Sequence, residues 1–369
     1  MKFRNLYVHT PFCETKCHYC DFFSLPEGKY DSQSQIKVYR NILDEFRFYR
    51  LGELETIFLG GGTPSLAPES FLEALFGKLD LDSNCEVTLE ANPSSVTPTN
   101  ASHWKSLGVN RVSLGVQALS NERLEWLGRV HSKAAAYKAL EAVHNANIER
   151  VSIDYIVGVP EQSLSQIESE LGELLSKFPA VRHVSAYLLT LQTTNPKLAQ
   201  LPNEEAQLQH LRMVRDVLAA HGLLQYEISN FAEPGFEARH NLNYWNGGSY
   251  LGIGPSAHSF DSSEQLRWKN KASLSSYCED VENALPPIDW KESLDREQRR
   301  LEYLMLRLRT SAGIVTHDYS ARFGRDLAAD NDTRILQWEA AGLVSRSQDQ
   351  IRLMGDGYFL SDSIIGAIR

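Results

Sequence analysis

Three cysteines near the start of the chain are placed to do metal chemistry. The segment Pro11-Phe-Cys-Glu-Thr-Lys-Cys-His-Tyr-Cys-Asp21 spaces Cys13, Cys17 and Cys20 as C-x3-C-x2-C. Three thiolates on one short loop can hold three irons of a cubane iron–sulfur cluster, because thiolates are the ligands such clusters use. The fourth iron then has no protein ligand, and an open metal position is what a reactive centre needs. Zinc is the alternative. A structural zinc site wants a fourth ligand, and His18 sits inside the loop rather than at a second ligand pair. Cys85 and Cys278 are far off in sequence and read as ordinary thiols. Five cysteines, three of them within eight residues, make no disulfide framework. In a chain without an export signal, such clustering reads as a metal site.

Other chemistry-bearing residues recur at intervals after the cysteine loop. Gly60, Gly61 and Gly62 lack side chains, so backbone there can approach a ligand closely, or simply make a tight turn. Glu90, Gln117, Arg129 and Asp154 are polar residues in or beside otherwise apolar runs. Taken singly, each reads equally well as a solvated or structural residue.

Elements that could position these groups are visible in the hydropathy pattern. Short β-branched runs fall at Leu6–His9, Thr56–Leu59, Glu86–Glu90, Arg111–Val116, Val151–Val157 and His183–Leu188. Between them lie helical stretches at Gln33–Tyr49, Glu69–Leu79, Asn100–Leu107, Ser132–Asn145 and Ser163–Phe178. Alternating strands and helices imply a parallel sheet with right-handed crossovers. The expected fold is α/β, a partial (β/α)6 barrel over residues 1–225. An open doubly wound sheet has the same spacing. Each chemical signal lies at or just after a strand end, and in a parallel barrel those ends converge on one face.

A helix at Glu204–His221 carries one apolar stripe of Leu208, Leu211, Val214, Val217 and Leu218. Residues 226–288 read as a connecting region, in which Tyr226–Phe260 is aromatic and glycine-rich and reads as irregular structure with short strands. Pro286 and Pro287 precede a different pattern over 289–369: a helix at Leu294–Arg309, another at Asp332–Ala341 and a hairpin at Gly342–Leu360. That order suggests a smaller α+β domain of winged-helix type. It holds 12 Lys/Arg against 13 Asp/Glu, so DNA reading has no electrostatic support and a structural or partner-binding role is expected.

Composition bounds the rest. The 369 residues are 42% apolar and 23% charged, which is a folding composition rather than a disordered one. The net charge is −10 (37 Lys/Arg against 47 Asp/Glu), which disfavours sequence-independent nucleic-acid binding. No apolar run approaches the roughly 18 residues of a membrane span. Met1–Thr10 lacks the pattern of a secretory signal. A cytoplasmic protein is expected, with at most a peripheral visit to a membrane.

The cysteine loop, with Tyr19 before its last cysteine, resembles the signature of the radical S-adenosylmethionine (SAM) superfamily. Gly60-Gly-Gly-Thr-Pro-Ser65, Glu90-Ala-Asn-Pro93, Arg111-Val-Ser-Leu-Gly-Val-Gln117, Gly128-Arg-Val-His131 and Asp154-Tyr-Ile-Val-Gly-Val-Pro160 narrow the resemblance to the coproporphyrinogen-oxidase-like group. The matching motifs run from Tyr7 to about His258. Beyond them only the general layout matches. The resemblance implies a [4Fe–4S] cluster on Cys13, Cys17 and Cys20, with SAM on its open iron. It implies SAM contacts from Tyr7, Gly60, Gly61, Gly62, Thr63, Glu90, Gln117, Arg129 and Asp154, serving one SAM molecule or two.

Two branches of that group are open: a haem-chaperone branch, the HemW family, and the oxygen-independent coproporphyrinogen III dehydrogenases. The dehydrogenases carry a fourth cysteine two residues after the third, where this chain has Phe22, and a longer arm before the cluster, where this chain has 12 residues. His240-Asn-Leu-Asn-Tyr-Trp245 is similar to the H-N-x-x-Y-W motif of the chaperones. It implies haem as cargo, an imidazole of His240 as iron ligand, and Tyr244 and Trp245 packed on a porphyrin face. A hydrogen-bonded histidine in an aromatic corner is the other reading of His240. Phe231, Tyr250 and His258 lie nearby, and His258 is a second candidate for the iron. Haem-acceptor proteins, among them respiratory enzymes at the membrane, are the implied partners. No catalytic residue is assigned, and the resemblance leaves open whether SAM is cleaved.

Overall fold

The computed structural model describes residues 2–368. Six strands, β1 (Phe3–Thr10), β2 (Leu51–Gly61), β3 (Leu81–Ala91), β4 (Arg111–Gln117), β5 (Arg150–Val157) and β6 (Val181–Leu188), pair in chain order, every neighbour parallel. Strand order never reverses within this run, which selects barrel winding over the doubly wound alternative. The strands are nearly continuous apolar runs because helices cover one face and the barrel interior the other. Six of the seven β4 residues are buried, and only Gln117 at the end is not.

Helices start where the sequence supplies caps. Asp31 accepts from the Ser34 amide, Ser132 from Ala135, and Asn203 from Ala206. Ser163 and Gln166 form a reciprocal capping box.

Short strands from the connecting region extend the main sheet at both edges. Strand β7 (Leu251–Ile253) adds parallel to the outer edge of β1. Asn230–Ala232 adds antiparallel to β6, with Leu224–Gln225 beyond it. These strands have two or three residues, too few to show a period of two. β8 (His258–Asp261), β9 (Leu266–Asn270) and β10 (Ile288–Ser293) form a separate antiparallel sheet. Leu251, Ile253, Trp268, Tyr277 and Val281 belong to the same apolar core as the barrel strands.

One buried carboxylate ties these pieces together. Glu45, fully buried at the end of the helix Ser32–Glu45, accepts hydrogen bonds from Tyr277 Oη (2.5 Å), Asn270 Nδ2 (2.6 Å) and the Gly254 amide (2.8 Å). Burial raises its pKa to about 7, against the opposing effect of those three donors.

The C-terminal part has its own core, built on Leu304, Leu308, Ile314, Tyr319, Ile335 and Leu353. Its order is helix (Arg296–Leu308), short strand (Ile314–Val315), helices (Thr316–Phe323 and Leu327–Ala340), then a hairpin of Val344–Arg346 and Gln350–Leu353. That is the element order of a winged helix. The middle helix, Thr316–Phe323, is absent from the sequence reading, and its neighbour begins five residues earlier than Asp332.

Candidate functional site

The cysteine loop is pinned at both ends. Phe12–Cys13 pairs parallel with Leu25–Pro26, so residues between them are held over the C-terminal ends of the barrel strands. Cys13, Cys17 and Cys20 line one cavity of about 140 Å³. Each sulfur has a polar neighbour: Thr63 Oγ1 donates to Cys13 Sγ (3.3 Å), Arg129 Nη1 donates to Cys17 Sγ (3.5 Å), and Ser24 Oγ lies 3.9 Å from Cys20 Sγ. Burial raises the Cys13 pKa, the Thr63 hydroxyl opposes this, and the nearby Cys20 and Cys17 add to it. A metal centre that binds thiolates would reverse that balance.

Among the described residues, no three Cys, His, Asp or Glu side chains converge tightly enough to hold a single ion. His18 is turned away, its Nε2 bonded to the Trp126 carbonyl (2.8 Å) and close to Lys197 Nζ (3.2 Å). A lone zinc ion would therefore lack its ligand set. Three thiols spaced around one cavity fit a polynuclear cluster, whose ligands go to separate irons.

The other walls of the cavity come from strand ends. Gly61 closes β2 with Gly62 and Thr63 after it, Glu90 is next to last in β3, Gln117 closes β4 and Asp154 lies in β5. Gln117 has φ +64°, an uncommon conformation for a residue with a side chain, at a register shift between β4 and β5. Glu90 and Asp154 are both enclosed. Burial and its Asp154 neighbour raise the Glu90 pKa to about 8, and the Gly61 amide donating to Glu90 Oε2 (3.2 Å) opposes this. Burial raises Asp154 to about 6, against hydrogen bonds from Ser185 and Ser113. A cation placed beside either carboxyl would favour its ionised form.

Close packing requires glycine at all three positions. A Cβ on Gly61 would sit 2.6 Å from the His9 ring, and one on Gly62 would sit 2.4 Å from the Phe12 carbonyl oxygen. At Gly60 it would press on Phe58, Tyr7 and Glu90. The space that the missing side chains leave is filled by protein, and only the backbones of Gly61 and Gly62 face the cavity.

Arg129 is tied to the scaffold: Nη2 donates to Asn92 Oδ1 and the Gly115 carbonyl, and Nη1 to Cys17. It ties the cysteine loop to β4 and also lines the cavity. Tyr7 lies outside the cysteine cavity. Its hydroxyl is 3.0 Å from His9 Nδ1, and it lines a larger cavity on the other side of the loop. Asn92 and Ser113 line the cysteine cavity and escaped the sequence reading. Asn92 lies inside the quoted Glu90-Ala-Asn-Pro93 motif, which was the available signal.

A cavity of about 360 Å³ adjoins the first and shares Glu90, Gln117 and Asp154 with it. The larger one, about 640 Å³, lies between the barrel edge and the C-terminal helix Arg296–Leu308. Phe22, 69% exposed, borders all three.

The His240 motif does not act as one surface. The helix Arg239–Trp245 sends its three candidates different ways. Trp245 lines a separate cavity of about 280 Å³ beside Arg307, and Tyr244 borders the largest cavity. His240 is wholly buried, its Nδ1 2.6 Å from Thr56 Oγ1 and its Nε2 2.7 Å from Tyr244 Oη. Burial lowers its pKa to about 3. Both ring nitrogens are engaged, so this conformation is the hydrogen-bonded histidine in an aromatic corner and offers no lone pair to iron.

Family comparisons agree with this geometry. The profile described as Radical SAM superfamily matches residues 7–174, a span holding every cysteine-cavity residue named above. The HemN C-terminal domain profile matches residues 294–360. The heme chaperone HemW of Bacillus subtilis (strain 168) is 32% identical over 99% of this chain and 98% of that protein. The chain belongs to the HemW family of radical SAM proteins. HemW of Escherichia coli (strain K12) is 36% identical over 69% of both chains. The solved structure of coproporphyrinogen III oxidase (HemN) from Escherichia coli superposes with a TM-score of 0.82 over 99% of this chain and 90% of that one. At 18% identity, that likeness speaks to the fold. Among the described residues, no helix is long and apolar enough to cross a membrane.

Proposed function

We propose that this HemW-family chain is a haem chaperone that binds a [4Fe–4S] cluster, SAM and haem, and hands haem to acceptor proteins such as respiratory enzymes. Near full-length similarity to proteins named heme chaperone HemW carries the reading. Cys13, Cys17 and Cys20 would hold the cluster, with Thr63 and Arg129 donating to two of the sulfurs. A cluster held by these three cysteines would supply single-electron chemistry to a bound SAM. Glu90 and Asp154 would face the cationic parts of SAM, Gln117 would reach into the same space, and the Gly61–Gly62 backbone would form the floor. The three regions of the chain would then divide the work: barrel for cluster and SAM, residues 226–288 for haem, and the C-terminal region for partner contact. Such a protein would work in the cytoplasm and meet membrane acceptors peripherally.

The test is transfer. The haem-loaded chain is mixed anaerobically with a haem-free acceptor, and haem is followed by absorbance as it changes owner. Transfer faster than haem exchange from an unrelated haem protein supports the reading. Haem that stays put, with conversion of coproporphyrinogen III by the same preparation, would replace it with the dehydrogenase reading.

A further inference from the structure

With His240 closed off, the haem reading needs another seat, and the largest cavity supplies one. Its back wall is the β8–β9 hairpin. His258 pairs directly across from Lys269, and Phe260 across from Arg267. Residues two apart on a strand share a face, so all four stand on one side of the hairpin, and all four line the cavity. Between them Ser259, Trp268 and Asn270 point the other way and are buried. The alternation is polar-aromatic toward the cavity and core toward the barrel.

We propose that haem binds in this cavity, with His258 as the protein ligand to iron and Lys269 holding a propionate. The inference rests on the haem-chaperone reading and places the cargo away from the His240 motif. Four observations carry it. The volume, about 640 Å³, falls within the range of about 300–1,000 Å³ for sites that enclose small molecules, and it exceeds the other cavities described above.

The apolar walls suit a planar macrocycle. Phe22, Tyr250, Phe260, Met305 and Leu306 come from the cluster loop, the hairpin side and the C-terminal helix.

The imidazoles differ in what they offer. His9 also lines the cavity, but its Nδ1 is 3.0 Å from Tyr7 Oη and its Nε2 2.8 Å from the Phe23 carbonyl. His258 is exposed, and its ring has no hydrogen-bond partner among the described residues. It meets Trp290 edge to face, with ring centroids 6.0 Å apart. Burial, then Lys269 and Arg267, holds its pKa below the ordinary histidine value, so the ring is neutral and free to ligate near neutral pH.

The cations differ in the same way. Arg267 is neutralised by Glu292 and Glu302. Lys269 forms no ion pair among the described residues and faces the same cavity. An ammonium without a carboxylate, beside an apolar slot, is matched by a ligand that brings its own. A porphyrin with propionates at one edge and a metal at its centre satisfies both residues together.

The experiment is an anaerobic titration of the full-length chain with haem and, separately, with metal-free protoporphyrin IX. Wild type, His258→Ala, His258→Gly and Lys269→Glu are compared, with circular dichroism confirming that each is folded. For haem, His258→Ala is expected to shift the Soret band and weaken affinity by about tenfold or more. Added imidazole should restore the band in His258→Gly. For metal-free protoporphyrin, His258→Ala should change nothing, and Lys269→Glu should weaken binding of both ligands. An unchanged Soret band and affinity in His258→Ala would overturn this seat while leaving the chaperone reading in place. No binding by wild type would sink both.

Discussion

The Tyr244 hydroxyl closes a hydrogen-bonded chain onto His240 Nε2, 2.7 Å away. Thr56 Oγ1 donates to Asn5 Oδ1 (2.8 Å), so it must accept from His240 Nδ1, 2.6 Å from it. The imidazole is thereby a neutral tautomer with its proton on Nδ1 and its lone pair on Nε2 turned to Tyr244. The His240 amide also donates to Glu86 (3.1 Å). This network fastens the helix Arg239–Trp245 to β1, β2 and β3.

His240→Ala should therefore act first on stability. Loss of a buried ring and two hydrogen bonds costs about 2–4 kcal/mol. Tyr244→Phe should cost about 1 kcal/mol. Thermal unfolding of the three proteins checks this. A stable His240→Ala protein that has lost haem binding outright would instead restore His240 as the iron ligand.

Replacing any one of Cys13, Cys17 and Cys20 by alanine should leave a folded chain without cluster iron. Iron and sulfide should fall from about four of each per chain toward zero. Cys85→Ala and Cys278→Ala should keep full iron, because both thiols are buried away from the cavity. Zinc retained stoichiometrically by the wild type would contradict the cluster.

SAM affinity should rise with pH between about 6 and 8. At pH 6 Glu90 (about 8) is protonated and Asp154 (about 6) half ionised; at pH 8 Asp154 is ionised and Glu90 about half ionised. SAM carries a sulfonium and an ammonium, so it favours the ionised carboxyls and releases protons as it binds. The stability of the unliganded chain runs the opposite way. A carboxyl whose folded pKa is raised favours the folded state most below its unfolded value, near 4.5 for Glu90, and progressively less as pH climbs to about 8. SAM should thus raise the melting temperature more at pH 8 than at pH 6. Glu90→Gln should flatten that difference. Calorimetry in buffers of differing ionisation enthalpy would count the protons, and zero release would contradict the assignment.

Glu45→Ala should lower stability by about 3 kcal/mol, because it strands three buried donors from Tyr277, Asn270 and Gly254 at one seam. Chemical denaturation monitored by tryptophan fluorescence measures it, with Trp268 in the affected strand. A change below about 1 kcal/mol would show that the seam holds without the carboxylate.

Much of this arrangement was legible in the residues. Long β-branched runs gave the six barrel strands, and cysteine spacing gave the metal loop. Polar residues at strand ends gave Glu90, Gln117 and Asp154. What escaped was set by tertiary contact. Leu251–Ile253 is too short for periodicity, and β1 alone makes it a strand. At Gly61 and Gly62 the space a side chain would need is taken by His9 and Phe12, which only packing shows. Tyr7 and His240 looked like ligand contacts because aromatic and imidazole side chains suit ligands. Their ring and hydroxyl groups are also hydrogen-bonded to neighbours, Tyr7 to His9 two residues on and His240 to Tyr244 inside its own motif and to the distant Thr56. His258 and Lys269 became a pair only through hairpin register.

The central claim is that this chain takes up haem as cargo. The direct measurement is an anaerobic titration of the cluster-reconstituted wild-type protein with haem, read from the Soret band. Saturation near about one haem per chain, with a band distinct from free haem, is the predicted result. Absorbance that climbs without saturation and matches haem in buffer would contradict it.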